Sequence, residues 1–347
     1  MIAAGLREIL RRPIVVAPMA GGPATPALVV AAAEAGALGF LAAGYKTPAD
    51  IAAEIDAVRA STAEAFGVNL FVPGAPSAQP ATVADYVGSL AGDAAELRAA
   101  LGEPTWDDDG WAAKVDVLLA HPPPVVSFTF GCPPREILTE LQRAGTIVAV
   151  TVTNAREAIL AAAVGADCVC VQGIEAGAHR GVFANDARSL EGSEVLALMV
   201  EVARVTDLPQ IAAGGIMTAT ALQAVLHAGA VAAQCGTAFL RCPESGAHPA
   251  HKAALGDGRF TSTALTRAFS GRPARGLMNR FMVDHPGAPA AYPEVNNATR
   301  PLRAAAARVG DTERMSLWAG SGFREATEHP AGEIVDQLDP GHRVELV

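Results

Sequence analysis

The chain has no uninterrupted apolar run long enough to cross a bilayer, although half of its 347 residues are hydrophobic. Residues 1–12 carry basic side chains but no apolar h-region and no cleavage site, so no signal peptide is expected and the protein reads as cytoplasmic. Cysteine is sparse: five, an odd number with scattered spacing, which argues for reduced thiols over a disulfide framework. Cys168 and Cys170 lie two apart on a strand and so share a face. No second ligand pair follows at zinc spacing, so core packing is favoured over a metal pair and no metal is expected. Positive charge is short as well. Lys and Arg number 26 against 36 Asp and Glu, and a net charge of −10 argues against nucleic acid as a partner. No Gly-x-Gly-x-x-Gly follows the first strand, which weakens the case for an open dinucleotide-binding sheet.

What the chain does have is length and rhythm. It is long enough for one large core and a small second domain. Abundant Ala, Gly and Pro read as a compositional bias on a globular protein, because apolar periodicity persists throughout. Short apolar runs at 13–18, 38–42, 66–71, 125–130, 147–152, 167–172, 210–213 and 230–235 read as strands. Helices are expected between them. Thr25-Pro26 and Thr47-Pro48 each offer a cap followed by proline at the first helical position, and Asn154 caps another. Further helices are expected over 134–144, 192–205 and 218–228. Residues 74–121 form an elaborated crossover, with helices expected over 80–101 and 106–120. Eight strands alternating with helices in about 240 residues predict a (β/α)8 TIM barrel. Residues 243–315 are helix-compatible with no clear strand. They predict a small helical additional domain over the catalytic face, with the barrel made from 1–242 and 316–347.

The chemistry concentrates after the sixth strand, in Val171-Gln172-Gly173-Ile174-Glu175-Ala176-Gly177-Ala178-His179-Arg180-Gly181. The glycines predict a loop whose backbone must approach something closely, and a parallel barrel keeps its reactive groups on such loops. A βα turn with an incidental surface histidine is the other reading. The loops after the seventh and eighth strands carry Gly214-Gly215 and Gln234-Cys235-Gly236-Thr237, without Lys or Arg. Barrels commonly hold a phosphate there, and backbone N–H groups with a helix N-terminus near Thr237 can receive one. Ordinary tight turns are the alternative.

With these residues in view, the chain resembles the class I nitronate monooxygenases, formerly called 2-nitropropane dioxygenases. The matching stretches run nearly end to end: Pro13 to Gly22, Gly36 to Phe40 with Ala43-Gly44-Tyr45, Phe66 to Phe71, Val126 to Gly131, Gln172 to Gly181, Ala212 to Ile216, Gly236 to Leu240 and Ser270 to Gly276. Ala178 departs from the pattern, since the family usually has glycine there; a methyl fits unless the position needs a positive φ. Gln often follows Ala-Gly in the tail, where this chain has Ser321.

The resemblance implies FMN as cofactor, held at Met19, Asn69, Gln172, Gly177, Gly214, Gly215, Gln234, Gly236 and Thr237. Asn69 and Gln172 end their strands, so their amides are expected at the barrel mouth near the flavin ring. It implies His179 as catalytic base. The implied reaction takes an alkyl nitronate, such as propionate 3-nitronate, and O2 to a carbonyl compound and nitrite. A neutral nitroalkane would first have to lose its α-proton to a base of near-neutral pKa, which an unperturbed histidine provides. Lys46 or Arg180 can hold the nitro group or a substrate carboxylate, solvated surface cations being the alternative. Tyr45 and Tyr292 are candidate pocket walls, with plain packing as the alternative. The competing activity is an FMN-dependent enoyl-acyl-carrier-protein reductase or other NAD(P)H:acceptor reductase. A purine-nucleotide type of dehydrogenase would want a nucleophilic cysteine in the sixth loop, and none is there. A non-enzymatic flavin-binding protein would need no base. The sequence does not set the oligomeric state.

Overall fold

A strand buried on both faces must be apolar almost throughout. Ile14–Val16 (β1), Leu38–Ala42 (β2), Phe66–Phe71 (β3), Val125–Thr129 (β4), Ile147–Val152 (β5) and Cys168–Gln172 (β6) meet that demand, and so do Gln210–Ala213 (β8) and Ala232–Cys235 (β9). In the computed structural model, which describes residues 6 and 8–341, these eight pair in parallel. The ring closes where Ile14 lies opposite Ala233 and Val16 opposite Cys235. The fold is the expected (β/α)8 barrel. Residues 1–5, 7 and 342–347 lie outside the described residues, and with them part of the stretch read for a signal peptide and the end of the expected barrel segment 316–347.

Local chemistry sets the helices. Thr25 caps α1 (Pro26–Glu34) by accepting the Leu28 N–H. Thr47 and Asp50 form a reciprocal capping box on α2 (Pro48–Ser61). The β3–β4 crossover contains α3 (Pro80–Ser89), α4 (Ala91–Glu96) and α5 (Trp111–Ala120). The helix expected over 80–101 is thus broken at Leu90 and stops at Glu96, near Arg98 with φ 49°. The one expected from Trp106 starts at Trp111. Asp107 and Asp108 accept the N–H groups two residues on, those of Asp109 and Gly110, and turn the chain first. The remaining layer is α6 (Arg135–Arg143), α7 (Ala155–Val164), α8 (Val195–Ala203) and α9 (Ala219–His227).

Alternation along the strands sorts the barrel interior into two zones. Val15, Phe40, Val125, Ala149, Cys168, Ile211 and Ala232 form an apolar floor with Leu6. Higher on the same strands the inward positions turn polar. Ser127 and Thr129 donate to Asn69 Oδ1 at 2.8 and 2.9 Å. The mouth is therefore polar and the base closed.

The segment after β9 departs from the all-helical expectation. Thr263–Thr266 (β10) and Ala274–Leu277 (β11) form an antiparallel pair, and β11 also pairs with the two-residue strand Ala178–His179 (β7). Four-residue strands are too short to leave a clear period-two signal. The helices here are α10 (Pro249–Gly256), α11 (Arg280–Asp284) and α12 (Glu294–Val309), and Ala331–Leu338 (α13) ends the described fold. Phe269, Phe281, Val295 and Leu302 share one apolar core with Val83, Tyr86 and Leu90 of the crossover. The addition is thereby packed to the barrel through the β3–β4 connection.

Gly39 shows how tightly the barrel meets its helices. A Cβ there would lie 2.8 Å from both Cα and O of Val29 in α1. Gly39→Ala is expected to cost about 2–3 kcal/mol, since backbone, not a flexible side chain, must move. The thermal midpoint followed by circular dichroism should drop by roughly 5 °C; an unchanged midpoint would mean that α1 shifts freely.

Candidate active site

The barrel mouth opens into a cavity of about 610 Å³. Strand ends and their loops supply its wall: Met19 after β1, Tyr45 and Lys46 after β2, Asn69 on β3, Gln172, Gly177 and His179 at β6 and β7, and Gly214, Gly215, Gln234, Gly236 and Thr237 after β8 and β9. The fold thus brings twelve of the fourteen sequence-selected residues to one space, leaving out Arg180 and Tyr292.

One side of this space is lined by backbone N–H groups. Gly214 and Gly215 adopt φ 131° and 66°. The N–H groups of Gly214, Gly215, Gly236 and Thr237 donate to no protein acceptor among the described residues. Free N–H groups on such turns make an anion cradle. Thr237 Oγ1 accepts the Gly320 N–H at 2.9 Å, which ties the tail to the cradle and leaves the hydroxyl proton to donate. Asn69 is 3% exposed, and its amide nitrogen has no protein partner among the described residues. Gln172 is more committed than expected: Oε1 accepts the Gly181 N–H at 2.7 Å and Nε2 donates to His179 O at 3.0 Å. Its first task is to shape the loop, and one N–H remains for a ligand.

The glycines of that loop answer mostly to other parts of the protein. A Cβ on Gly177 would lie 2.5 Å from Gly320 N, and one on Gly181 would lie 2.7 Å from Thr151 Cγ2. Ala178 does adopt a positive φ, 61°, so the departure from glycine places a methyl in the left-handed region. The consecutive side chains His179 and Arg180 part at this point. His179 enters the cavity. Arg180 does not: it is 2% exposed and donates from Nε to Ser189 O and from Nη2 to Glu191 O. Its expected role as a substrate cation is therefore corrected.

The cavity is positive. No Asp or Glu lines it among the described residues, whereas Arg300 and Arg303 do. Lys46 is neutralised by both Glu54 carboxylate oxygens at 2.6 Å, which removes it as a free anion receptor. Arg303 donates to Thr299 Oγ1 at 3.1 Å and to Asn296 Oδ1 at 2.8 Å. Arg272 lies with its guanidinium 3.9 Å from the centroid of Phe130. Neither Arg272 nor Arg303 is in an ion pair with a carboxylate among the described residues. Glu157, whose charge acts on Arg272, is already spent on the N–H and O–H of Thr153 and the N–H of Phe183. Arg272 belongs to a stretch noted in the sequence. Arg300 and Arg303 carry no motif in the sequence; Arg300 is exposed at the cavity rim and Arg303 is half-buried.

This setting changes His179. Burial, then Arg272 and Arg303, push its imidazolium down to about 3. The near-neutral base expected from an unperturbed histidine is thus corrected to a ring that stays neutral well into the acid range. Nε2 lies 2.9 Å from Ser270 Oγ, and the rings of Phe130, Tyr292 and Trp318 flank it at 5.7–5.8 Å. Tyr292 stands behind the wall: it lines a smaller neighbouring cavity of about 300 Å³ and its hydroxyl is 3.0 Å from that of Tyr45. Tyr45 has φ 68°, a conformation held by the Asp109 carboxylate accepting its N–H at 3.1 Å. Lys114 pairs with Asp109 at 2.7 Å.

A closed parallel barrel whose strand ends gather a histidine and backbone N–H groups around one cavity has the layout of an enzyme. Comparison with known proteins makes this specific. The family model for nitronate monooxygenase matches residues 4–341. A nitronate monooxygenase of Pseudomonas aeruginosa is 41% identical over 345 residues, covering 95% of each chain. A probable nitronate monooxygenase of Staphylococcus aureus strain Newman is 36% identical over 94% of this chain and 93% of its own. The solved nitroalkane oxidase of Streptomyces ansochromogenes superposes with a TM-score of 0.95 at 50% identity, covering 97% of each chain. The chain belongs to the nitronate monooxygenase family and is an oxidoreductase.

The left-handed Ala178 gives a direct test. Ala costs about 1–2 kcal/mol in that region and glycine loses part of this gain to chain entropy. Ala178→Gly is expected to stabilise the protein by about 0.5–1 kcal/mol in urea unfolding; a loss of stability would show that the methyl packs usefully.

Proposed function

We propose that the protein is an FMN-dependent nitronate monooxygenase that converts alkyl nitronates and O2 to carbonyl compounds and nitrite. The observation that carries this reading is Arg303 on the cavity wall, with Arg272 against the wall residue Phe130, neither paired with a carboxylate among the described residues. A walled-off cation without a counter-ion is costly, and an anionic substrate supplies the missing charge. A nitronate is such an anion; an uncharged enoyl thioester is not, which disfavours the reductase alternative. Within this reading the Gly214–Gly215 and Gly236–Thr237 loops hold the flavin phosphate, and the Asn69 amide nitrogen serves the flavin ring. Met19, Gly177 and Gln234 complete the cofactor wall. Bound FMN would supply the electron-accepting chemistry. Arg303 holds the oxygens of the substrate. The 243–315 segment is proposed as the substrate-covering unit.

A second reading is favoured by His179 and by the name of the Streptomyces relative: turnover of neutral nitroalkanes. His179 then accepts the α-proton. The two arginines make the ring a weaker base, yet they stabilise the nitronate formed beside it, so the two effects offset each other.

The test is an aerobic assay with a small nitronate, following oxygen uptake and nitrite, on protein whose heat-released flavin is identified by chromatography. FMN with both signals is expected; FAD, or rapid anaerobic flavin reduction by NADH or NADPH, would overturn the proposal. Arg303→Met should raise KM for the nitronate by about 10- to 100-fold, the loss of a hydrogen bond to a charged group, with FMN content retained.

The pH dependence follows from the depressed imidazolium. A general base works deprotonated, so a pKa lowered to about 3 keeps it active at mildly acid pH. kcat/KM for a neutral nitroalkane, which reports the free enzyme, should stay flat from about pH 8 to about pH 5. An inflection near the ordinary histidine value of about 6.5 would reject the buried, neutral ring.

A further inference from the structure

Ser270 is 1% exposed and sits between three polar atoms: His179 Nε2 at 2.9 Å, Arg272 O at 3.1 Å and Arg272 N at 3.3 Å. The turn that carries it is pinned. Gly271, at φ 77°, donates to Arg267 O at 2.7 Å and accepts the Ala291 N–H at 3.1 Å, and a Cβ on it would lie 2.0 Å from Ala291 O. Register places His179 opposite Ala274, four residues beyond Ser270. The Ser270 hydroxyl is thus fixed from one side and the imidazole from the other.

A hydroxyl carries one proton and two lone pairs. The Arg272 N–H can only donate to it, and the Arg272 carbonyl can only accept from it. Were the proton given to His179 Nε2, the carbonyl of buried Arg272 would have no donor among the described residues. Giving it to the carbonyl satisfies all four groups, with His179 Nε2–H donating to Ser270. The other ring nitrogen, Nδ1, has no protein partner among the described residues. It is not sealed in the wall but open to the cavity that His179 lines. Turning the ring over would set a carbon against Ser270 and lose the bond.

We infer that Ser270 is a positioning residue that holds His179 as the Nε2–H tautomer and presents the Nδ1 lone pair to the substrate. The inference deepens the proposed role of His179 as base by naming the atom that takes the proton. Nε2 then stays protonated throughout, and the α-proton of a nitroalkane passes to Nδ1 as its C–H bonding pair remains with the nitronate.

Ring-nitrogen NMR of the flavin-loaded protein, labelled at histidine with nitrogen-15, reads the tautomer directly. His179→Asn identifies the His179 signals. At neutral pH a protonated Nε2 and a bare Nδ1 are expected; the reverse pattern, or an average of the two, would overturn the inference. Ser270→Ala should give averaged signals and lower kcat for a neutral nitroalkane by about 10-fold or more, as a wrong tautomer does, with KM and FMN content unchanged. Ser270→Thr, which keeps the hydroxyl, should restore both. Ring signals that Ser270→Ala leaves untouched would also overturn it. If the alanine variant does not fold, the wild-type spectrum and the threonine variant still decide. The base role fails separately: His179→Asn slowing a nitroalkane and its own nitronate equally would reject that role, whatever the tautomer.

Discussion

The site depends on positive charge that no carboxylate among the described residues pairs with. Arg272 lies against the face of Phe130, and Arg303 is held by Asn296 and Thr299, all of them neutral partners. A cation–π contact away from water offsets about 2 kcal/mol of the cost of such burial, and hydrogen bonds to neutral groups offset part of the rest. The remainder is unspent attraction for an anion. Around this charge the other titratable groups are kept neutral. Burial raises the Tyr45 and Tyr292 hydroxyls out of reach of ionisation at ordinary pH and pushes the His179 imidazolium down. The wall therefore offers cations, neutral donors and one neutral imidazole.

Holding such a wall in place takes more chain than the barrel alone. β7 is only two residues long, and it is a strand because β11 of the addition pairs with it. The tail passes beneath the same loop: Ser321 N–H bonds Glu175 O at 3.0 Å, and Gly320 bonds Thr237. Loop, addition and tail form one unit, so His179, the N–H groups of the loops after β8 and β9 and the arginines are set relative to one another by backbone contacts. The strained conformers sit there too. Tyr45, Phe130 and Ala178 all have positive φ, and each borders the cavity. Backbone strain at a ligand clamp persists only where the surroundings over-determine it. Asp109, braced by Lys114, does this for Tyr45.

The barrel was legible because its signals are local and repeated. Fully buried strands read as apolar runs, and Thr25, Thr47 and Asn154 announce helix starts by capping chemistry that the structure retains. The identities of the cavity residues were legible for a related reason. A strand end in a parallel barrel has one destination, so Asn69 and Gln172 could be placed without tertiary knowledge. What was not legible was partnership. Lys46 looks free in sequence, but Glu54 lies eight residues on, across the start of a helix, and takes it up. Arg180 belongs to the His179 loop but turns away to the carbonyls of Ser189 and Glu191. Arg303 and Ser270 are far from that loop in sequence and meet it only through the addition. Charge pairing and strand pairing between distant segments leave no local pattern to read.

The glycines make the same point more sharply. Their sequence suggests a loop giving room to a ligand, yet Gly177 is required by Gly320 and Gly181 by Thr151. Gly214 and Gly215 are different. Their positive-φ backbone leaves N–H groups without acceptors among the described residues, a condition for binding an anion. A glycine-rich stretch therefore supports two distinct arguments, close packing of chain on chain and exposure of N–H groups, and the sequence does not separate them. The geometry does, by asking what a Cβ would strike and where each N–H is spent. On that criterion the unpaired N–H groups belong to the loops after β8 and β9, where the proposed phosphate site lies. The loop after β6 is a packed scaffold whose purpose is to carry His179, with its neighbours fixed on every side, to the cationic wall.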